Sequence, residues 1–381
     1  MRMTTMDIFN VEQNIKEYVN DANKEDLKVI VIEFKRGHFL NVLSKTKIFR
    51  EKHEPDQGLA RILSFLDATC YSQTGEGKQA AEIIGNMYQA SDEKSIDDLI
   101  LYGNLAFMCD YKLARKIMSD VVKQIDNEEA FEPVKAAHAY LVLGEAEENL
   151  EKYVRAIKYY KRGLTYLQTD EEKDDQLVLF LHFKLGALHS LVSETDEAIH
   201  HLHKTLELAD ERNIEIKINS LVSIAKMYGS KDEYEKAFAY LREAIPLLET
   251  STLAGKLVHA EAYTEMAYNY FDQSMLDEAV PYYEKAIAIH LKLPNYSKRE
   301  LGMIYMQFAY CMEHKEHPEK LLAARYYEEA IGQLEKTNDQ ELLESALADI
   351  IAFFESIGNN KKKRFYENKF VKMTNEKAHV H

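Results

Sequence analysis

The chain has 381 residues, 46% hydrophobic and 29% charged, with 14 Gly, 6 Pro and no Trp. That supports a sizeable core, holds too few turn residues for an all-β fold, and favours long helices. A formal charge of −16 repels phosphate backbones and disfavours general nucleic-acid binding.

No stretch approaches the roughly 18 apolar residues of a membrane span. The start, MRMTTMDIFNVEQNIKEY, lacks the apolar segment of a signal peptide. Cys70, Cys109 and Cys311 are far apart and lack metal spacing, so they read as free thiols in a reducing compartment. The expected location is the cytoplasm.

In chain order, VEQNIKEYVNDA (11–22) reads as an amphipathic helix. LKVIVIEF (27–34) suits a strand or a buried helix, and its helical surroundings favour the helix. FLNVLSKTKIFREKH and LARILSFLDATCYSQ follow as helices, divided by a turn at Pro55. A helical bundle over residues 1–90 results. Lys35, Arg36, Lys45, Lys47, Arg50 and Lys52 make one stretch basic, which a solvated helix face explains. Gly37 among these residues leaves a degenerate helix-turn-helix as a rival use of the segment. GEGKQ lacks the span and the Ser/Thr of a phosphate loop. Asp56 stands where a helix N-cap belongs.

Beyond residue 90 one unit recurs. A small residue on a first helix precedes an alanine on a second helix by 12 positions. The pairs are Gly144/Ala156, Gly186/Ala198, Ala225/Ala237 and Ala267/Ala279, with Tyr160, Leu202, Leu241 and Tyr283 four residues further on. Two antiparallel helices need a small side chain where they cross and a large one in the adjoining groove. A fifth copy has Ala309, Ala323 and Tyr327 with two extra turn residues. A sixth has Phe354 and Gly358 but Lys363 in the alanine place. A weak earlier copy contains Tyr111 and Ala114. The histidines at 182, 189, 200, 201 and 203 complete no metal motif and read as surface or interhelical residues; no metal or cofactor is expected.

These offsets resemble the tetratricopeptide repeat over residues 93–375. The expected fold is an all-α, right-handed superhelical solenoid of such hairpins (residues 91–375), preceded by the N-terminal bundle and followed by a tail (376–381). The alanines step by 42, 39, 42 and 44 residues, longer than the family's usual repeat. The stretched period, the total length and the closing FFESIGNNKKKRFYENKF look like the peptide-sensing regulators of Gram-positive bacteria. These are the response-regulator aspartate phosphatases (Rap proteins) and their relatives with DNA-binding domains.

What that resemblance implies is a bundle that grips a response regulator or other protein, and a concave groove for a short signalling peptide. Gln57 would position a hydrolytic water, although the acidic run before it is reduced to Glu54 and an expected tyrosine pair is missing. Offsets of −6, −3, +1 and +4 or +5 from the small residue face inward on the leading helices. They select His138, Glu145, Asn149, Phe183, Asn219, Lys226, Glu261, Thr264, Tyr268, Asp272, Met306, Tyr310 and His314. Amides satisfy an extended peptide's backbone, apolar slots take its side chains, and the acids suit a positive end. Asn219 is the leading candidate, since receptors of this kind hold peptide backbone with an inner-helix Asn. A homodimer, a generic scaffold and a peptide-controlled transcription regulator are among the readings left open.

Overall fold

The computed structural model describes residues 11–90, 95–128, 131–168 and 174–378. Among the described residues there are nineteen α-helices, one short 3-10 turn and no strand. They fall into two compact units, Met1–Ala198 and Ile199–His381, divided within helix α11 (Thr195–Leu208).

The first unit opens with α1 (Val11–Lys16), α2 (Lys24–Lys35), α3 (Phe39–His53) and α4 (Gln57–Gln73). They close on one core that includes Ile15, Leu27, Ile30, Phe34, Val42, Phe49 and Leu63. The ambiguous run at 27–34 is helical. Leu27, Ile30, Val31 and Phe34 are its buried residues, and that helical spacing overrides the β-branched propensity. The helix expected over 11–22 ends early, at Lys16. Asn23 Oδ1 accepts from Asn20 N–H (2.8 Å) and Asn23 Nδ2 donates to the Tyr18 carbonyl (2.9 Å). These side chains offer the backbone a turn that competes with helix.

Helix α4 turns Phe65 and Ala68 toward a second core. That core is built with α5 (Gly77–Ala90), α6 (Ile96–Phe107), α7 (Tyr111–Asn127) and α8 (Pro133–Asn149). Helices α9 (Tyr153–Leu167) and α10 (Asp175–Leu191) continue the stack around Ala156, Tyr160, Leu177 and Leu185. The second unit repeats the pattern through α12 (Ile214–Gly229), α13 (Tyr234–Thr250), α14 (Leu257–Asp272) and α15 (Leu276–His290). It ends with α16 (Lys298–His314), α17 (Lys320–Leu334), α18 (Gln340–Ser356) and α19 (Asn360–Ala378). Helix α19 thus runs into the expected tail, and residues 379–381 lie outside the described residues, as does the start of the chain through residue 10.

The small residues do what their spacing predicts. A Cβ added at Gly144 would strike the Tyr160 ring, and one at Gly103 would strike the Met118 side chain. Ala156, Ala237, Ala279 and Ala323 are fully buried. The stretched period has two sources. Helices α12 to α17 are 15–17 residues long, and connections of several residues (251–256, 291–297) join successive hairpins.

The turns inside the hairpins repeat as closely as the alanines. Glu151, Ser193, Asp232 and Ser274 all adopt φ near +60°, each five residues before its repeat alanine. The next residue's N–H reaches back to the preceding helix: Lys152 to the Glu147 carbonyl, Glu194 to His189, Glu233 to Tyr228 and Met275 to Tyr270, at 2.8–2.9 Å. That is the six-to-one bond of a left-handed helix stop, made here without glycine. At the last hairpin Lys363 replaces alanine. Its ammonium pairs with Glu355 (2.5 Å) and Glu367 (3.7 Å), a polar finish for the final pair of helices.

Candidate functional site

In the second unit α12, α14 and α16 are the leading helices of successive hairpins. Helix α14 carries Glu261, Glu265, Tyr268 and Asp272 at intervals of three to four residues, hence on one stripe. Glu265 is only 9% exposed. Its sole ion pair among the described residues is with Lys226 of α12, at the long distance of 4.0 Å, and that lysine's side chain is 64% exposed. Burial pushes the Glu265 carboxyl up to about 7, opposed by Lys226 and reinforced by Glu261, Asp272 and Glu300. Burial also raises Glu261, against Lys226, and raises Asp272, with Asp232 adding to the effect. Tyr268 is half-buried, its ring meeting Tyr283 edge-on at 6.1 Å. Its hydroxyl is pushed far upward by burial and then by Glu265.

Other expected residues divide into two groups. Asn219 is half-buried on α12, but one amide hydrogen is spent on the Glu215 carbonyl (2.7 Å), leaving Oδ1 and a second N–H for a ligand. Thr264 is buried and its hydroxyl donates to the Ala260 carbonyl (2.9 Å), so it packs instead of facing outward. Met306 is half-buried, and Tyr310 is exposed, stacked on His314 at 4.1 Å. Glu265 was missed because it lies two residues before Ala267, outside the chosen offsets. Its spacing of four from Glu261 was the available signal.

In the first unit Glu145 and Glu148 of the leading helix α8 are paired by the protein's own groups. Lys184 of α10 reaches Glu145 (3.4 Å) and Glu148 (3.1 Å) of α8, and the Tyr160 hydroxyl donates to Glu148 (2.5 Å). Burial raises Glu145, while Lys184 opposes that. Asn149 donates to the Glu145 carbonyl (2.8 Å) and is exposed; Phe183 is half-buried. His138 lies on α8, pushed below its ordinary value by burial.

At the start of α4, Asp56 is the N-cap, its carboxylate accepting from the Leu59 N–H at 2.9 Å. Gln57 beside it is exposed in the first turn. Arg50 is not part of an open basic face, because it pairs with Asp67 at 2.6 Å, and Lys52 pairs with Asp26 at 2.7 Å.

The fold is a stack of repeated helix hairpins of the tetratricopeptide type. The tetratricopeptide-repeat family pattern matches residues 218–247 and 260–290 directly. The chain is 24% identical over 234 residues to response regulator aspartate phosphatase E of Bacillus subtilis (strain 168), covering 56% of this chain and 61% of that protein. It is 24% identical over 203 residues to the transcriptional activator NprA of Geobacillus stearothermophilus, covering 51% of this chain and 47% of that one. The chain therefore spans about three fifths and half of the lengths of these relatives. Among solved structures, the apo form of RapI superposes with a TM-score of 0.61 at 15% identity, over 93% of this chain and 98% of that one. The chain thus carries tetratricopeptide repeats and has the helical-repeat fold of RapI. No described helix is long and apolar enough to cross a membrane.

Proposed function

We propose that the chain is a receptor for a short signalling peptide, held along the leading helices and controlling what the N-terminal bundle binds. The observation that carries this reading is the α14 stripe. A nine-tenths-buried carboxylate with one distant, exposed lysine is costly to maintain without a further partner. Glu261 and Asp272 lie on the same stripe, so the arrangement suits a peptide with a cationic group. Tyr268, Met306 and Tyr310 offer apolar surface, and Asn219 retains an acceptor and a donor for peptide backbone. Glu145, Asn149 and Phe183 are candidates of the first unit taken by itself, although Glu145 already has Lys184. The regulated partner is a response regulator or another protein, bound by residues 1–90, with the repeats from 91 to 375 as sensor.

Calorimetry with short peptides bearing Arg or Lys, on wild type and Asn219→Ala, tests the proposal. Saturable binding that weakens about tenfold in the variant is expected. Equal affinity in both, or binding of neutral and cationic peptides alike, would count against it.

A second reading follows from the exposure of Gln57 at the head of α4. There it would orient water against a partner's aspartyl phosphate, the activity named for the Bacillus subtilis relative. Loss of dephosphorylation in Gln57→Ala with partner binding intact would support this; an unchanged rate would remove it. A transcription regulator using the segment around Gly37 predicts salt-dependent binding to promoter DNA.

A further inference from the structure

Helix α19 carries seven Lys/Arg against two Glu, in a chain whose formal charge is −16. Its inner side is ordinary core. Tyr366 stacks on Phe354 of α18 at 5.7 Å, and Phe370 and Met373 pack against the same cluster. Its outer side is different. Lys361, Arg364, Asn368, Lys372 and Asn375 are all exposed and recur at intervals of three and four residues, so they form one stripe. Phe365 and Val371 border that stripe on opposite sides, 56% and 53% exposed. Among the described side chains of α19 no acid is exposed, since Glu367 is half-buried and pairs with Lys363 at 3.7 Å.

Two further lysines are spent within the protein: Lys362 pairs with Glu328 and Lys369 with Glu335, both at 2.5 Å. No described acid forms an ion pair with Lys361, Arg364 or Lys372. A surface helix needs a polar outer face, but either sign of charge serves. Helix α17 shows the ordinary mixture, exposing both Arg325 and Glu329. An acid-free cationic stripe edged by exposed Phe and Val complements a surface that is both anionic and partly apolar. Protein interfaces are depleted in lysine at their centre, and here lysine leads. The phosphates of a nucleic-acid duplex would use the cations but not Phe365 or Val371. A bilayer surface uses both, taking cations at its phosphates and apolar side chains just beneath them.

We infer that the outer face of α19 docks on an anionic lipid surface, with Lys361, Arg364 and Lys372 at the headgroups and Phe365 and Val371 dipping among them. The contact is with a membrane surface and is not a span. It is reversible and salt-dependent, because it rests on a few cations and two apolar side chains.

The test is flotation of the full chain with phosphatidylcholine vesicles, with and without about one-third phosphatidylserine. Binding to the anionic vesicles alone is expected, and it should be lost as salt rises to about 0.5 M. Lys361→Glu, Arg364→Glu and Lys372→Glu combined should weaken binding about a hundredfold. Phe365→Ser should weaken it about fivefold. Circular dichroism checks that both variants remain helical. Lys45→Glu with Lys47→Glu, at exposed lysines of the bundle, should bind as wild type does. Asn219→Ala should do the same, which separates this result from the peptide reading. The inference is overturned if both vesicle types bind alike, or if the three reversals or Phe365→Ser leave binding unchanged. It is equally overturned if the bundle variant loses binding to the same extent, or if duplex DNA or polyglutamate binds the wild type more tightly than the anionic vesicles do.

Discussion

Two sets of acids on leading helices, one in each unit, have opposite fates. Glu145 and Glu148 in the first unit share Lys184 at 3.4 and 3.1 Å, with the Tyr160 hydroxyl completing the set. Glu265 in the second unit is more enclosed than either, yet its lysine stands 4.0 Å away and largely in solvent. A desolvated carboxylate is stabilised by a close cation and hydrogen bonds, and otherwise shifts toward its protonated form. The first set is therefore internal scaffolding, whereas the second has unused capacity for a ligand's cation.

The comparison can be broken most directly at the two lysines. Lys184→Met strands two mostly buried acids and should cost about 3 kcal/mol of stability in chemical denaturation at neutral pH. Lys226→Met should cost well under about 1 kcal/mol, because the pair it removes is long and exposed. Equal losses would mean that the two sets do not differ.

The next test sharpens the same contrast by pH. The Glu265 carboxyl moves from an ordinary 4.5 to about 7 on folding. Because that value is raised, the native state binds the extra proton, and the associated stability is intact below pH 4.5 and lost as pH rises through 7. Glu265→Gln should flatten this fall and be more stable than wild type at pH 8 by on the order of 2 kcal/mol. Unchanged pH dependence between pH 4.5 and 8 would show that Glu265 is already well satisfied.

The smallest effect lies in the turns, which the two units share. Ser274→Gly and Glu151→Gly place glycine at a φ near +60° that L-residues disfavour. Each should raise thermal stability by about 0.5–1 kcal/mol, reduced by the greater freedom glycine has when unfolded. A clear loss at either position would mean that the side chain makes a contact outweighing the backbone strain.

The hairpins were legible because their signal is local and repeated. Gly144, Ala156 and Tyr160 stand at fixed spacings, and the structure has the Tyr160 ring over Gly144. The bundle was legible in its elements, with α3 and α4 close to expectation. Helix α1 was overdrawn because the side-chain bonds of Asn20 and Asn23, which cut it short, compete with helix in a way periodicity cannot register. Of the expected groove residues, Thr264 proved buried, and the amides of Asn149 and Asn219 were partly spent on their own helices. An inward offset fixes a direction on the helix, but not whether a neighbouring helix covers it.

The sequence by itself determined that this is a stack of helix pairs, since small and large residues at constant spacing leave antiparallel packing as the way to bury them. It also determined which helix of each pair leads. Only the tertiary structure decided that Glu145 has a close cation while Glu265 does not, and that Lys362 and Lys369 find acids while Lys361, Arg364 and Lys372 stay exposed. Partnering and enclosure depend on side chains from helices dozens of residues apart in sequence, and a repeat pattern constrains each pair far more than the space between pairs.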